Sequence, residues 1–343
     1  MEIRQDQIIG SSPALLDLMD QISRAAPLDR PLLVIGERGT GKELIAARLH
    51  YLSNRWNKPF QKMNCAALAE TLLESELFGY EQGAFTGARG RRAGRFEAAD
   101  EGSLFLDEIG TMSMSAQEKL LRVIEYGEFE RVGGNETIEV NVRVVGATNI
   151  DLPAAADAGE FRHDLLDRLA FDVLTVPPLR ERREDIMTLA DHFGRGMARE
   201  LEWLTFPGFS DVATEAMMDH HWPGNVRELK NVVERAIYRA WDGEQPVCNI
   251  IFDPFDSPFR PPAKTNRKQR EATTTTNRPL KPAEQVPLMP EGPFDFRAEV
   301  TAQEKRLLEH ALKRNRFNQR ATAAHLKLTY DQLRHCLKKH DLL

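Results

Sequence analysis

Short apolar runs alternate with amphipathic stretches over the first half of the chain. Pro31-Leu32-Leu33-Val34-Ile35, Ser103-Leu104-Phe105-Leu106 and Asn141-Val142-Arg143-Val144-Val145-Gly146-Ala147 are the clearest of these runs. Continuous rather than alternating hydrophobicity predicts strands covered on both faces. The first run leads through glycines into Glu43-Leu44-Ile45-Ala46-Ala47-Arg48-Leu49, which has helical spacing. Strands separated by helices predict a parallel sheet with helices on both sides. From about Pro178 the pattern becomes wholly helical, with predicted helices from Asp185 to Glu200, Asp211 to His220 and Asn225 to Trp241. The expected body is an α/β domain over residues 1–177 followed by a helical domain over 178–252.

The periodicity stops at Asp253. Residues 253–297 hold nine of the chain's 19 prolines, together with Thr273-Thr274-Thr275-Thr276. Proline removes backbone donors and biases its neighbours out of helix, so this stretch is expected to be an extended linker. Helical spacing returns in residues 298–343. Phe317 to Leu326 reads as a short helix, Lys327-Leu328 as a turn, and Thr329 to His340 as a second helix with Thr329 as its cap. Leu326, Leu328, Leu333 and Leu337 would then pack together. Tyr330, Gln332, Arg334, His335 and Lys338 would face outward, with Arg and Gln available for base edges. A helix-turn-helix and a three-helix protein-binding module both fit this pattern.

Composition sharpens the division. A chain of 343 residues implies two or three domains, and 41% hydrophobic with 29% charged residues excludes a wholly disordered one. No apolar run reaches the roughly 18 residues of a membrane span. The polar start, Met1-Glu2-Ile3-Arg4-Gln5-Asp6, does not read as a signal peptide. Cys65, Cys248 and Cys336 are isolated, so neither a disulfide framework nor a cysteine zinc site is expected, and the chain reads as cytoplasmic. The net charge of −6 argues against a protein that coats nucleic acid, but its distribution is uneven. Glu299 to Leu343 carries ten Lys and Arg against five Asp and Glu, a net +5 that leaves −11 on the rest. A basic end on an acidic body is the pattern of an appended nucleic-acid-binding module.

Gly36-Glu37-Arg38-Gly39-Thr40-Gly41-Lys42-Glu43 lies between a predicted strand and helix, where amides and a helix N-terminus point at an anion. Lys42 would reach the β and γ phosphates of a nucleotide. The usual Ser or Thr after the lysine, which holds Mg²⁺, is replaced here by Glu43. The strand Leu104-Phe105-Leu106 ends in Asp107-Glu108, 65 residues after Lys42. In phosphate-loop ATPases the first such carboxylate holds Mg²⁺ and the second polarises the attacking water. Loop and carboxylates together predict nucleotide hydrolysis.

With these residues in place, the chain resembles the AAA+ bacterial enhancer-binding proteins that activate the sigma-54 form of RNA polymerase. The likeness rests on Gly36 to Glu43, where that family also has Glu after the lysine. It rests further on Glu76-Leu77-Phe78-Gly79, on Gly83-Ala84-Phe85-Thr86-Gly87-Ala88 and on Leu104 to Glu108. Gly146-Ala147-Thr148-Asn149 and Trp222-Pro223-Gly224-Asn225-Val226-Arg227-Glu228-Leu229 complete it. These motifs span roughly residues 7 to 252, and the tail resembles the family's Fis-type DNA-binding end. The fold implied is an AAA+ ATPase, with parallel sheet and helical lid, followed by a Fis-type helix-turn-helix. Among members, the chain looks most like the phage-shock branch, which begins directly with the ATPase domain and carries no receiver in front of it. Control in trans is therefore expected.

The resemblance also implies roles for single residues. Gly83 to Ala88 would be the loop that engages sigma-54. On its residues alone, with two Gly and two Ala around one aromatic and one hydroxyl, it reads equally as a buried turn or as an exposed contact tip. A second contact loop is expected near Arg131-Val132-Gly133-Gly134. Arg162 and Arg168 look like arginine fingers delivered to a neighbouring subunit; by themselves they would be surface ion-pair partners. Thr148 and Asn149 resemble the sensor of the γ-phosphate, and Arg227 the second sensor on the lid. Asn64 matches the residue that restrains the catalytic Glu. In Ser53-Asn54-Arg55-Trp56-Asn57-Lys58, Trp56 would anchor a PspA-type negative regulator if exposed, and a core tryptophan reads as well there. The partners expected are sigma-54 RNA polymerase, upstream activating DNA, and further copies of the chain in a hexameric ring. Two other readings use the same phosphate loop, a repressor that only senses nucleotide and a general AAA+ unfoldase. Neither needs the Gly83–Ala88 hexapeptide.

Overall fold

A computed structural model of the chain describes residues 8–85, 88, 90–240, 243–255, 301, 304–308, 311–312, 319, 322–323, 326, 328 and 330–340. Most of the predicted linker lies outside them. Contacts divide the chain into two units, Met1–Arg260 and Pro261–Leu343.

The first unit is built on a five-stranded parallel sheet. The strands are β1 (Leu32–Ile35), β2 (Phe60–Asn64), β3 (Ser103–Asp107), β6 (Arg143–Thr148) and β7 (Val173–Thr175), in the order β2-β3-β6-β1-β7. Side chains alternate across each strand, so each apolar run feeds two cores at once. Leu33, Leu104, Leu106 and Val144 pack toward α3 (Glu70–Phe78), α5 (Met114–Tyr126) and α7 (His163–Leu169). Leu32, Val34, Phe105, Val145 and Ala147 pack toward α1 (Pro13–Ala25) and α2 (Lys42–Tyr51). At roughly 1.5–3 kcal/mol for each large apolar side chain buried, these central strands dominate the stability of the sheet.

The edge strands have no such run. β2, Phe-Gln-Lys-Met-Asn, pairs only with β3, and within it only Met63 is buried. A short helix, α4 (Arg95–Ala98), precedes β3. An antiparallel hairpin, β4 (Glu128–Glu130) with β5 (Thr137–Glu139), follows α5, and α6 (Leu152–Asp157) follows β6.

The helical part contains α8 (Glu184–Glu200), α9 (Asp211–Asp219) and α10 (Asn225–Arg239), packed around the fully buried Trp222. Two predicted ends move inward. His220 takes an extended backbone that closes α9, and α10 ends at Arg239, with Trp241 outside the described residues. Ser210 caps α9 by accepting from the Ala213 amide at 3.2 Å. Among the described residues no helix is long and apolar enough to cross a membrane.

In the second unit Leu333 and Leu337, on the helix Tyr330–Lys339, are buried against Leu308, Leu312 and Ala323, with Leu326 and Leu328 partly buried beside them. Gln332, Arg334, His335 and Lys338 are exposed, as the helical spacing predicts; the Tyr330 side chain lies outside the description. Glu304 ties the first helical segment to the end of this helix, accepting from Lys339 Nζ at 2.9 Å and bonding His340 Nε2 at 3.0 Å.

Candidate functional site

The phosphate loop joins β1 to α2. Gly39 and Gly41 have φ of +77° and +97°, left-handed values that glycine adopts without a Cβ penalty. At Gly39 the space is closed as well, because a Cβ there would sit 2.3 Å from the carbonyl oxygen of Gly224. Gly41 offers no side chain to cap α2, which leaves the first amides of that helix to an anion. Lys42 opens the helix and is buried; its Nζ donates to the carbonyls of Gly36 at 2.9 Å and Glu37 at 3.4 Å. Burial pulls its pKa below the ordinary lysine value, against the opposing pull of Glu108 and Asp107.

The two carboxylates follow β3. Asp107 Oδ1 accepts from the Glu108 amide at 3.0 Å, and Asp107 Oδ2 accepts from Asn64 Nδ2 at 3.5 Å. Glu108 has φ +54°, ψ +45°, a strained conformation for a residue with a Cβ. The strand ends one residue earlier, at Asp107. The resemblance suggests a direct restraint of Glu108 by Asn64. The β2–β3 register sets Asn64 opposite Asp107 instead, so the hydrogen bond goes to Asp107 and reaches Glu108 only through its amide. Cys65, beside Asn64, is buried, and its thiol is pushed up to about 12, first by burial and then by the two carboxylates.

A cleft of about 700 Å³ brings together Gly39, Gly41, Lys42, Glu43, Asn64, Asp107 and Glu108 with Val226, Arg227, Lys230, Asn231 and Glu234 of the lid. Of the other sequence candidates, Thr40 is buried and its hydroxyl donates to the Glu37 carbonyl at 2.8 Å. Glu43 turns its carboxylate to Lys62 at 2.9 Å. Glu37 faces the lid and not the cleft. Its carboxylate accepts two hydrogen bonds from Arg180 and one from Asn225, which lower its pKa to about 2. Thr148 ends β6 beside the loop, with its carbonyl accepting from the Gly36 amide at 3.2 Å. Its hydroxyl accepts from the Ile150 amide, and neither it nor the half-buried Asn149 lines the cleft.

Sequence patterning missed a second feature, an apolar slot of about 100 Å³ beside the loop. Ile8 and Ile9 line it from one side and Leu189 and Phe193 of α8 from the other. Arg182 also lines it, with Nε buried and without a hydrogen-bond partner. No local motif marks these positions, which come together only through the lid.

Arg162 and Arg168 lie away from the cleft. Arg162 pairs with Asp164 at 2.7 Å, and Arg168 pairs with Glu125 at 2.7 Å beside the exposed Tyr126 and Phe171. The Asp164 carboxylate raises the Arg162 pKa, and the guanidinium lowers that of Asp164 in return.

Hydrogen bonds join the described ends of the hexapeptide. Gly83 has φ +83°, its amide donates to the Ala88 carbonyl at 3.1 Å, and the Ala88 amide donates to Phe85 at 3.0 Å. Phe85 is 44% exposed with its ring edge against Tyr80, whereas Ala88 is buried; Thr86 and Gly87 lie outside the described residues. The segment Arg131–Gly134 runs alongside. Val132 bridges to Tyr80, and a Cβ on Gly133 would meet that of Ala84 at 2.7 Å. Arg131, buried, joins the two loops by pairing with Glu97 and Glu81. Those carboxylates, Glu97 foremost, raise its pKa.

Trp56 is 63% exposed, which removes the core reading. Its neighbour Arg55 holds the turn by donating to the carbonyls of Gly102 at 3.0 Å and Asn141 at 2.6 Å.

Three family models match the chain. They are the sigma-54 interaction domain over residues 8–175, the AAA+ ATPase lid domain over 180–249, and the Fis family of bacterial regulatory proteins over 300–340. The chain is similar to the Psp operon transcriptional activator of Escherichia coli (strain K12), 53% identical over 98% of this chain and 99% of that protein. It is similar to the Nif-specific regulatory protein of Azotobacter vinelandii, 52% identical over 70% of this chain, although it spans under half of that relative. Among solved structures it is similar to NtrX from Brucella abortus in complex with ADP, with a TM-score of 0.67 and 30% identity over 98% of this chain and 70% of that one.

Proposed function

Because the chain belongs to the sigma-54-dependent transcription activators, AAA+ ATPases that end in a Fis-type DNA-binding helix-turn-helix, we propose that the cleft at Lys42, Asp107, Glu108 and Arg227 hydrolyses ATP to remodel the sigma-54 polymerase closed complex at phage-shock promoters. The observation that carries this is the convergence of loop lysine, strand-end carboxylates and lid arginine on one cleft. The phosphates would lie on the first turn of α2 and on Lys42, and the base in the slot between Ile8-Ile9 and α8. The unpartnered Arg182 Nε would donate there to a ring nitrogen. Glu108 would polarise the attacking water, with Asn64 restraining it by way of Asp107. Thr148, whose carbonyl accepts from the Gly36 amide, would with its neighbour Asn149 report the phosphate state.

The donor set suits Mg²⁺, which binds through one or two carboxylates together with phosphates and water. Asp107 is the carboxylate placed to hold it, since Glu43 is engaged by Lys62 and Thr40 by Glu37. When bound, the ion supplies neutralisation of charge on the transferred phosphoryl group.

Arg162 and Arg168 complete the site in trans, on a neighbour within a hexameric ring, because both stand away from their own cleft. Phe85 and Thr86 engage sigma-54. Gln332, Arg334, His335, Lys338 and Tyr330 contact upstream DNA, and Trp56 receives a PspA-type negative regulator. The working parts divide as residues 1–177, 178–252, the linker 253–297, and 298–343. Promoter opening in vitro by the purified full chain tests the reading. It should require sigma-54 and hydrolysable ATP, and opening with another sigma factor would overturn it.

A further inference from the structure

The phosphate loop is fastened to the lid at more than one point. Glu37 accepts from Arg180 Nη1 at 2.9 Å and Nη2 at 2.6 Å, and from Asn225 Nδ2 at 3.0 Å. The same Asn225 amide donates to the Arg38 carbonyl at 3.1 Å, while its Oδ1 accepts from the Leu179 amide at 2.8 Å. The Arg227 amide donates to the Gly39 carbonyl at 3.3 Å. Asn225 is fully buried and has φ +53° at the first position of α10; Trp222, three residues earlier, has φ +50°. Left-handed backbone at a residue with a Cβ persists where the surroundings hold it in place. Downstream, Arg227, Lys230, Asn231 and Glu234 recur at helical spacing and form the lid wall of the cleft.

We propose that Asn225 is a positioning residue for ATP hydrolysis. It bridges the Glu37-Arg38 segment of the phosphate loop to Leu179 of the lid, and so sets the pitch of α10 that brings Arg227 to the phosphates. This rests on the cleft being the nucleotide site. Asn225 does not line that cleft, so it acts through the residues it holds. Without the bridge, nucleotide binding must itself close the lid, and apparent affinity falls with the closed fraction. At saturating ATP the lid is closed again and turnover recovers. A role confined to folding would instead reduce the active fraction, lowering kcat and leaving KM alone.

Asn225→Gly separates the two roles, since glycine accepts the left-handed φ while removing the amide. In steady-state hydrolysis by the full chain with Mg²⁺, this variant should raise KM for ATP about tenfold and keep kcat within about twofold. Glu37→Ala should match it. Glu37→Gln, which retains an acceptor for Asn225, should show a smaller rise. Asn225→Gly combined with Glu37→Ala should be no worse than either alone, because both remove one bridge. A KM within twofold of wild type for Asn225→Gly, or a lowered kcat at unchanged KM, overturns the proposal. Binding of a fluorescent ATP analogue distinguishes that failure from a misplaced site: wild-type affinity in Lys42→Ala would overturn the site itself.

Discussion

Replacing Arg131 by methionine tests how the two contact loops are joined. The guanidinium donates to Glu97 through Nε at 3.0 Å and also through Nη2, and to Glu81 through Nη1 at 2.9 Å. Methionine has similar length and no charge, so Glu97 loses its cation and Glu81 keeps only Arg91, at 3.5 Å, while the space stays filled. Breaking a buried pair costs about 3–5 kcal/mol. Here the Glu97 and Glu81 side chains keep 19% and 28% of their exposure, and the cost should fall to about 2–3 kcal/mol. At about 2–4 °C per kcal/mol for a unit of this size, the first unit should melt roughly 4–12 °C lower. Arg131→Met with Glu97→Gln should recover part of the loss, since the worse of the stranded charges is gone. Function should divide as well. Glu81 stands at the root of the hexapeptide loop, so promoter opening should fall more steeply than ATP turnover. Thermal melts and paired ATPase and open-complex assays read both effects. A melting shift under about 1 °C, or equal losses in the two activities, would refute the network's role in coupling the loops.

Glu108→Gln should leave ATP binding nearly intact and cut turnover by orders of magnitude; Lys42→Ala should weaken binding itself, and wild-type hydrolysis by Glu108→Gln would show the base misassigned. Thr86→Ala should keep ATPase activity and DNA binding yet abolish promoter opening, and loss of hydrolysis instead would make the loop structural. Glu37 carries a pH signature: its folded pKa of about 2 lies below the ordinary 4.5, so its stabilisation is present above pH 4.5 and is lost as pH falls toward 2. Its side chain is 41% exposed, so screening reduces the effect to about 1 kcal/mol. The urea midpoints of wild type and Glu37→Gln should therefore draw together as pH falls from 4.5 toward 2, and a constant gap would contradict the assignment. A chain cut before Asp253 should lose DNA binding but recover activation at raised concentration on a sigma-54 promoter lacking upstream sites. On the proposed reading residues 253–297 would contribute only effective concentration, and activation that never returns would make the tail a mechanical part.

The central strands β1, β3 and β6 were legible because burial on both faces demands continuous apolar residues, and little else in a chain of ordinary composition looks like that. Lys42, Asp107 and Glu108 were legible for a related reason. Chemistry on a phosphate requires a glycine-rich turn before a helix and carboxylates at a strand end, and those are local patterns. The edges β2 and β7 were not legible, since a strand paired on one side need bury only alternate residues, as Met63 alone does in β2. Trp56 could not be placed by pattern, because the turn beside it is held by Arg55 bonding Gly102 and Asn141, both distant in sequence.

What the sequence determined by itself is therefore the order of the parts and the residues proposed to act on phosphate, because each is written in neighbouring positions. Tertiary structure decided how those residues are held. Glu37 belongs to the phosphate-loop motif, yet its carboxylate serves the lid, because Arg180 and Asn225 arrive from 143 and 188 residues away. Asn64 meets Asp107 and not Glu108 because strand register, set by hydrogen bonds along β2 and β3, chose that partner. The slot lined by Ile8, Ile9 and α8 exists only once the lid has packed against the start of the chain. Pairings at such separations depend on packing of the whole unit, and no local spacing records them.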